Sequence, residues 1–239
     1  MTPTLPDLFA ASEATWPAVR TWEQDGFTLR DGQGGGQRVS AATATGPVTE
    51  AQIGAAEEAM RAMGQNPIFC ERGQTPDLDA ALAARGYVIK DPTLIYVLPI
   101  EKLTDKPIPR VTAFTIWEPL AIMKEIWATD GIGPARLAVM ERARRKTGVL
   151  ARWNEKPAGV AFAGVHDKVC MVHGVVVLPH QRRQGVAEWI MRAAAFWGQA
   201  QGATHLSVLC VEANEPANRL YRALGFEEVG RYHYRVRPE

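Results

Sequence analysis

Residues 172–187 read VHGVVVLPHQRRQGVA and residues 214–226 read NEPANRLYRALGF, and these two segments carry the strongest local patterns in the 239-residue chain. The run of three valines at 175–177 is short and β-branched, which is typical of a buried strand. Pro179 ends the run, and apolar residues then recur at helical spacing over 186–200. Gly202 is placed to end that helix. The predicted local order is strand, basic turn and helix, followed by a second strand and helix.

The turn between the strand and the helix combines the features of an anion site. A helix start offers unpaired backbone N–H groups and a partial positive charge. Gly185 and the small Ala187 let a ligand approach the backbone, while Arg182 and Arg183 add full positive charge. Together these features predict a site for a diphosphate. The alternative is an ordinary strand-to-helix turn that carries two solvated arginines.

The two segments resemble the acetyl-CoA-binding core of the GNAT superfamily of N-acetyltransferases. Arg182, Gly185 and Ala187 match the family pattern Arg/Gln-x-x-Gly-x-Gly/Ala after a strand. The second segment matches Asn-x-x-Ala-x-x-Leu-Tyr and a later Gly-Phe, through Asn214, Ala217, Leu220, Tyr221, Gly225 and Phe226. The resemblance covers residues from about 113 to 239. It implies an α/β (α+β) GNAT fold, in which helices flank a mixed, mostly antiparallel central sheet, with acetyl-CoA (CoA) as cosubstrate and no metal.

The resemblance also assigns roles to individual residues. Main-chain groups of the strand before the turn would pair with the pantetheine arm, at a place where neighbouring strands splay apart. The implied cofactor-binding residues are Val175, Val176, Val177, Arg182, Arg183, Gln184, Gly185, Val186, Ala187, Asn214, Ala217 and Tyr221. Tyr221 matches the usual general acid of the family, and the unperturbed pKa of a phenol, about 10 and close to that of a thiol, suits this role. The alternative for Tyr221 is packing against the pantetheine arm.

The general base is not assigned by the family pattern. Some members carry a glutamate on the strand before the turn, and Met171 stands at that position here. His173 would face the same side of the strand, and the pKa range of histidine suits proton removal. Glu212, at the end of the following strand, is another candidate. A purely structural His173 and a water chain acting as the base are the remaining alternatives.

The N-terminal part repeats the same order of elements in a degenerate form. Its predicted elements are a helix over 5–22 interrupted at Pro17, strands at 27–30 and 38–44 joined by a Gly-rich turn, a helix after a capping box at Thr49, a strand at 68–70, a helix capped by Asp77, and two strands within 87–98 that turn at Asp91-Pro92. This copy lacks the Arg-x-x-Gly-x-Ala turn, and Leu82 stands where Tyr221 stands in the other half. It is therefore not expected to bind CoA in the usual way.

These patterns predict three segments along the chain. Residues 1–103 form a degenerate GNAT-like N-terminal domain, 104–110 a polar linker containing prolines, and 111–239 the acetyl-CoA-binding GNAT N-acetyltransferase domain. An unrelated α+β domain is the alternative for the first segment. In the last segment the sequence predicts helices at 119–129 and 135–146, a meander of strands before the turn, and a final pair of strands.

Composition limits the classes of partner and compartment. Apolar residues make up 46% and charged residues 22% of the chain, as in globular proteins, and the net charge of +1 gives no bulk attraction to nucleic acid or to an anionic membrane. Cys70, Cys170 and Cys210 are odd in number and far apart, which argues against a disulfide framework or a zinc site and favours the cytoplasm. No signal peptide and no membrane-spanning run are expected. The oligomeric state is open, with a homodimer as one alternative.

The sequence is compatible with two functions of different classes. The first is an N-acetyltransferase that moves an acetyl group from acetyl-CoA to a primary amine of a small molecule or peptide, by direct transfer in a ternary complex. The second is a catalytically inactive CoA-binding module with a regulatory or structural role. The intact turn together with Tyr221 favours the enzyme. The identity of the acceptor amine cannot be read from the sequence.

Overall fold

A computed structural model of the chain describes residues 2–238. Its helices are α1 (Leu5–Thr15), α2 (Glu50–Ala62), α3 (Pro76–Ala84), α4 (Ala121–Ala128), α5 (Pro134–Arg142), α6 (Val186–Ala200) and α7 (Glu215–Ala223). Its strands are β1 (Arg20–Gln24), β2 (Phe27–Asp31), β3 (Thr43–Ala44), β4 (Ile68–Glu71), β5 (Val88–Pro99), β6 (Ala113–Ile116), β7 (Lys146–Trp153), β8 (Lys156–His166), β9 (Val169–Val177), β10 (His205–Val211) and β11 (Glu227–Val236). Short 3-10 helices lie at Gln37–Val39, Ile100–Lys102 and Pro179–Gln181.

The chain divides into two compact units that alternate along the sequence. Unit 1 comprises Met1–Pro17, Ile95–Cys210 and Glu215–Val229, and unit 2 comprises Ala18–Leu94, Val211–Asn214 and Gly230–Glu239. Strands β5 and β11 each contribute residues to both units. These two units do not coincide with the domains predicted from the sequence, which are separated by a linker at 104–110. The predicted domain boundaries therefore stay a prediction.

Unit 1 is built on a mixed, mostly antiparallel sheet with the strand order β11-β5-β10-β9-β8-β7-β6. Neighbours from β6 to β9 are antiparallel, whereas β10 runs parallel to β9. A parallel neighbour needs a long crossover connection, and α6 supplies it. Helices flank this sheet, so the fold class that the sequence predicts is confirmed.

Glycines in the strands of unit 1 let helices pack closely on both faces of the sheet. A Cβ on Gly159 would lie 3.1 Å from Ile190 of α6, and a Cβ on Gly164 would lie 2.7 Å from the Cβ of Thr15 in α1. These two glycines are an odd number of residues apart in β8, so they point to opposite faces. The first helix of the chain therefore covers the face of β8 that α6 does not.

Unit 2 combines a three-stranded antiparallel sheet, β1-β2-β3, with the antiparallel pair β4 and β11. An isolated parallel bridge joins Ala42, next to β3, to Phe69 of β4, and α2 lies between them in the chain. The predicted capping box of α2 is confirmed, since Thr49 N donates to Gln52 Oε1 at 2.8 Å and Gln52 N donates to Thr49 Oγ1 at 3.4 Å. The core cluster of this unit contains Phe27, Leu29, Ala42, Ile53, Ala56, Met60, Phe69, Leu78, Leu82 and Tyr87.

Two predictions for the first 44 residues are wrong. The helix predicted over 5–22 ends at Thr15, because the following Pro17 disfavours helical geometry at Trp16. The strand predicted at 38–44 is replaced by the 3-10 helix Gln37–Val39 and the two-residue strand β3. Main-chain hydrogen bonds close this helix, so the glycine cluster precedes a turn of helix and does not form a simple hairpin.

The boundaries of α3 and β5 also differ from the prediction. The N-cap of α3 is Thr75 and not Asp77, because Pro76 occupies the first helical position, where its missing N–H costs nothing. The two strands predicted within 87–98 are one continuous strand. Asp91 adopts a left-handed φ of 49° inside it, so the chain bends there without leaving the strand.

Two further boundaries differ in the C-terminal half. The basic helix predicted at 135–146 ends at Arg142, since Ala143 is extended and Lys146 already begins β7. The predicted final pair of strands is the single strand β11, because Gly230 continues the strand and does not turn it.

The three cysteines stay as thiols in the structure, and all of them are buried. Burial raises the pKa of Cys170 to about 12 and that of Cys210 to about 11, so both are protonated at neutral pH. Within residues 2–238, no helix is both long enough and apolar enough to cross a membrane. The same residues contain no group of three His, Cys, Asp or Glu side chains placed to hold a metal ion.

Candidate active site

The turn between β9 and α6 places an open helix start at the end of a strand. After the 3-10 helix Pro179–Gln181, Arg183 and Gly185 adopt left-handed φ values of 62° and 75°. Gly185 is the N-cap of α6, and residues Arg182 to Gly185 are exposed. The first N–H groups of α6 have no acceptor inside the helix, so they and the positive end of the helix dipole are available to an anion.

Side chains around the turn differ in what they offer a ligand. Arg182 folds back, and its Nε donates to the Val177 carbonyl at 3.2 Å. Val186 is 3% exposed and belongs to the core, so it can contribute only its N–H. A Cβ on Gly185 would meet no atom within 4 Å, which shows that the approach to the helix start is open. This open approach, the N–H groups and the arginines suit the diphosphate of CoA.

Strand β9 leaves β10 just before the turn. The parallel ladder runs from the pair His205 and Val169 to the pair Val208 and Val172. In the described part of the chain it ends there, while β9 continues to Val177. The edge of β9 at 175–177 that faces away from β8 therefore has no strand partner. Apart from the Val177 carbonyl, which accepts from Arg182, the main-chain groups on this edge can pair with an extended ligand.

A β-bulge lies at the point where the two strands part. Between His173 and Val176, β9 has one residue more than β8, and Gly174 adopts a left-handed φ of 53°. The Gly174 carbonyl accepts a hydrogen bond at 2.8 Å from Nε1 of the fully buried Trp127 in α4. Sequence analysis missed this contact, although a glycine inside an apolar strand is a known signal for a bulge.

Tyr221 is enclosed by aromatic rings in unit 1. The centroid of its ring lies 5.8 Å from that of Tyr96 and 5.7 Å from that of Phe226. Burial, and then the neighbouring Cys210, raises the pKa of the Tyr221 phenol above its usual value. The phenol is therefore protonated at neutral pH, as a proton donor must be, but it is a weaker acid than an exposed tyrosine. Sequence analysis missed Tyr96, which lies in β5 and outside both motifs.

His173 lies on the face of β9 that α1 covers, and Thr15 of α1 contacts its imidazole. Its Nε2 lies 2.8 Å from Thr15 Oγ1, and the Thr15 hydroxyl donates to the Ala11 carbonyl at 2.6 Å. The hydroxyl has one proton, so Nε2 of His173 is the donor in the contact with Thr15. The imidazole is 5% exposed and packs against Trp16 and Phe162, with ring centroids 5.1 and 6.0 Å away. These contacts favour the structural alternative for His173.

The remaining candidates belong to the segment after β10. Glu212 and Asn214 lie in unit 2 and are exposed. The Glu212 N–H donates to the Pro92 carbonyl at 2.7 Å, and the Asn214 N–H donates to the Val211 carbonyl at 2.9 Å. Ala217 lies in α7 of unit 1 and is half-buried. The structure thus brings the turn, β9, Ala217 and Tyr221 into unit 1 but places Glu212 and Asn214 in unit 2.

The segment predicted as a linker is anchored to α6 at its first residues. Arg192 of α6 is 5% exposed, and its Nη1 donates to Asp105 at 2.5 Å and to the Leu103 carbonyl at 3.2 Å. Its Nε donates to Glu188 at 2.9 Å. A buried arginine in an otherwise apolar helix is the sequence signal for this anchor, because a buried charge needs partners.

Comparison with known proteins identifies the family of this region. The model of the acetyltransferase (GNAT) family matches residues 112–226, a range that includes the bulge, the turn and Tyr221. Residues 112–226 therefore belong to the GNAT acetyltransferase family, and the resemblance drawn from the two motifs is confirmed.

Curated relatives match a shorter part of the chain. The aminoglycoside N(6')-acetyltransferase type 1 of Salmonella typhimurium is 34% identical over 63 residues, and the protein of the same name from Salmonella enteritidis matches equally. The alignment covers 26% of this chain and 43% of the relative, so the chain spans less than half the length of these relatives.

Solved structures show a similar fold over nearly the whole chain. A GCN5-related N-acetyltransferase from Kribbella flavida is 20% identical, with 97% of this chain and 95% of that chain covered and a TM-score of 0.70. A tandem GNAT protein from the clavulanic acid biosynthesis pathway is 16% identical, with 87% and 76% covered and a TM-score of 0.58. At these identities the similarity concerns the fold alone.

Proposed function

We propose that the protein is an acetyl-CoA-dependent N-acetyltransferase that acts on a primary amine of a small molecule or peptide. The observation that carries this proposal is the parting of β9 from β10 after the pair Val172 and Val208, which leaves an open strand edge ahead of the exposed helix start at Gly185. A strand edge that can accept an extended arm and a helix start that can hold a diphosphate lie in succession along one chain segment. Acetyl-CoA has these two parts in the same order, from thioester to diphosphate.

The main chain of unit 1 would bind and orient the cosubstrate. The edge of β9 formed by Val175, Val176 and Val177 pairs with the amides of the pantetheine arm. The N–H groups of Gly185, Val186 and Ala187, with the side chains of Arg182, Arg183 and Gln184, hold the diphosphate. Asn214, Ala217 and Tyr221 complete the binding residues that the family pattern implies. The cosubstrate supplies the thioester, and no metal takes part.

Transfer then needs one proton removed and one proton supplied. The neutral amine nitrogen attacks the thioester carbonyl carbon, the carbon–sulfur bond breaks, and the amine loses a proton. Tyr221 is the proposed donor to the departing thiolate, and its raised pKa keeps that proton in place until the thiolate forms. His173 and Glu212 are the candidate bases, and the burial of His173 against Thr15 favours a base other than His173.

Of the residues 1–103 for which we propose a degenerate GNAT-like origin, unit 2 contains Ala18–Leu94. The parallel bridge between Ala42 and Phe69, with α2 between them in the chain, repeats in reduced form the order β9, α6, β10. The N-terminal domain of the proposal comprises 1–103, followed by a linker at 104–110 and the GNAT domain at 111–239. An unrelated α+β domain remains the alternative. Three buried thiols support a reducing compartment, for which we propose the cytoplasm.

Tyr221→Phe tests the catalytic part of the proposal, because it removes only the hydroxyl. We expect kcat to fall by at least about tenfold, since general acid catalysis contributes about 10²–10⁴-fold. The dissociation constant for CoA should barely change. Tyr87→Phe is the matched control, since it removes another buried hydroxyl, which donates to Glu57 in unit 2, and should leave kcat unchanged. An unchanged kcat in Tyr221→Phe, measured where chemistry limits turnover, would leave Tyr221 as a packing residue.

The alternative function is a catalytically inactive CoA-binding module. It is favoured if the protein binds one CoA per chain in a calorimetric titration and yet acetylates nothing in a pool of amines, with products detected by mass. Aminoglycosides belong in that pool because of the relatives matched over 63 residues. Failure to bind CoA at all would contradict both functions.

A further inference from the structure

Unit 2 contains a cavity of about 940 Å³ with a basic lining. It is bounded by the glycine-rich segment before the 3-10 helix Gln37–Val39, by the loop after α2 and by the end of β11. Arg61, Lys90 and Arg237 line it, and none of its described lining residues is an aspartate or a glutamate. Its volume lies within the range of about 300–1,000 Å³ that is usual for sites of small molecules.

The two arginines of the cavity are held in place by one buried carboxylate. Glu57 is 4% exposed, and its Oε2 accepts from Arg61 at 3.2 Å while its Oε1 accepts from Arg237 at 3.4 Å. Arg85 also donates to Glu57, at 3.4 Å, although Arg85 does not line the cavity. Arg85 has a second partner in Glu50, at 2.5 Å.

The cations around Glu57 and in the lining of the cavity outnumber the described carboxylates that they contact. The lining arginines, Arg61 and Arg237, share the single carboxylate of Glu57, and Lys90 adds a further positive charge to the lining. Arg85 lies outside the lining and has Glu50 as a carboxylate partner of its own. Burial alone would raise the pKa of Glu57, but hydrogen bonds from arginines and a tyrosine outweigh it and hold the pKa below its usual value. Glu57 therefore stays ionised at neutral pH and keeps the two lining arginines oriented.

The glycine-rich wall of the cavity is fixed before any ligand arrives. The Gly32 N–H donates to Gln65 Oε1 at 2.7 Å, and Gln65 Nε2 donates to the Arg30 carbonyl at 2.9 Å. Gly34 and Gly36, which line the cavity, have φ values of 79° and 99°, a region that side chains other than glycine rarely adopt. A wall that is already ordered adds little conformational cost to binding.

We propose that this cavity binds a small anion that carries two or more phosphate or carboxylate groups. The charge of the lining selects for a ligand of opposite sign, and oriented guanidinium groups match the paired oxygens of both kinds of group. The ligand needs several anionic groups because the cations are spread over α2, β5 and the residue that follows β11. This site does not depend on the acetyl transfer proposed for unit 1.

Calorimetric titration of the full chain at low ionic strength tests the site. Inorganic pyrophosphate and citrate are the two probes, because they separate phosphate from carboxylate ligands. Arg61→Gln and Lys90→Gln each remove one lining cation. Arg85→Gln is the matched control for the first, since it also loses a hydrogen bond to Glu57 but lies outside the lining. Arg182→Gln controls for binding at the turn before α6.

We expect saturable binding of at least one probe, with an affinity that falls as salt is added. Each lining variant should weaken that affinity by about fivefold or more, while Arg85→Gln stays within about twofold of the unmodified protein. Any binding that Arg182→Gln weakens is assigned to the turn before α6. The proposal is overturned if neither probe binds, if only Arg182→Gln weakens binding, or if Arg85→Gln weakens it as much as Arg61→Gln. Thermal unfolding of each variant shows that it is folded, and Lys90→Gln is expected to pass because Lys90 is exposed.

Discussion

Replacing Thr15 by valine removes one hydroxyl with little change in volume, and we expect it to lower the free energy of unfolding by about 2–4 kcal/mol. Thr15 is 1% exposed, and its hydroxyl links the Ala11 carbonyl to Nε2 of His173. Losing the net value of a hydrogen bond costs about 1 kcal/mol, and stranding the buried imidazole N–H costs about 1–3 kcal/mol more. For a chain of this size, each 1 kcal/mol corresponds to about 2–4 °C in Tm.

A double-mutant cycle separates this hydrogen bond from packing. His173→Leu removes the donor and leaves the Thr15 hydroxyl bonded to Ala11, so we expect a loss of about 1 kcal/mol. The double variant strands no donor and should be more stable than Thr15→Val alone. Urea unfolding of the four proteins measures the coupling, which we expect to be about 1–2 kcal/mol. Losses that add to within about 0.5 kcal/mol would refute the hydrogen bond between Thr15 and His173.

The same variants decide the role of His173 in acetyl transfer. If the imidazole serves packing, kcat of His173→Leu stays within a few-fold of the unmodified protein when it is measured well below the unfolding midpoint. We expect this outcome, because Nε2 of His173 is occupied by Thr15 and the side chain is almost fully buried. A fall of about 100-fold or more, with loss of the rising limb of the pH profile, would instead assign His173 as the base.

Three further changes test the turn, the packing of α1 and an ion pair. Gly185→Glu should abolish CoA binding in a folded protein, because it brings a carboxylate to the diphosphate site. Gly202→Glu is the control in a calorimetric titration with CoA, because Gly202 has a similar φ of 86° but lies beyond the other end of α6. If Gly185→Glu binds CoA with a dissociation constant within a few-fold of the unmodified protein, the diphosphate site at the turn is contradicted. Gly164→Val would bring a Cβ to 2.7 Å from α1, so urea unfolding should show a loss of about 1–3 kcal/mol, and no loss would contradict that packing. The hydrogen bond from Arg235 holds the pKa of Asp79 below its usual value. The stabilisation by ionised Asp79 is therefore fully present above the unfolded pKa of about 3.9. It is lost as the pH falls through the lower pKa of the folded protein. Asp79→Asn should therefore cost about 1–3 kcal/mol at pH 7, a difference that shrinks in acid, and a loss independent of pH would be inconsistent with the charge of Asp79 as its source.

Local patterns made the turn and α6 predictable. A β-branched run, a glycine and a helical period of apolar residues each follow from backbone geometry within a few residues, and the observed α6 begins at the predicted Val186. The prediction of a strand at 38–44 was wrong, and the reason is local as well. Gly36, with a φ of 99°, allows a turn of 3-10 helix that the β-branched content of the segment does not indicate.

Contacts between distant parts of the chain were not predictable in the same way. Tyr96 packs on Tyr221 from a strand that carries no family motif, and its carbonyl accepts a hydrogen bond from Ser207, 111 residues further on. His173 was a candidate base on its position in β9, but its partner Thr15 lies in the first helix. Spacing in a sequence shows which residues share one face of a strand and does not show which helix will cover that face.

Because the chain is made from its N-terminus, the pairing of Thr15 with His173 also has a consequence for the nascent protein. The two residues are 158 positions apart. At a synthesis rate of about 5–20 residues per second, α1 leaves the ribosome roughly 10–30 s before the strand that it covers. During that interval the apolar residues Leu8 and Phe9 of α1, which are buried in the finished protein, have none of β8 or β9 to pack against. A nascent chain halted before β8 should therefore be cleaved by protease within α1, and a chain released after β9 should be protected there.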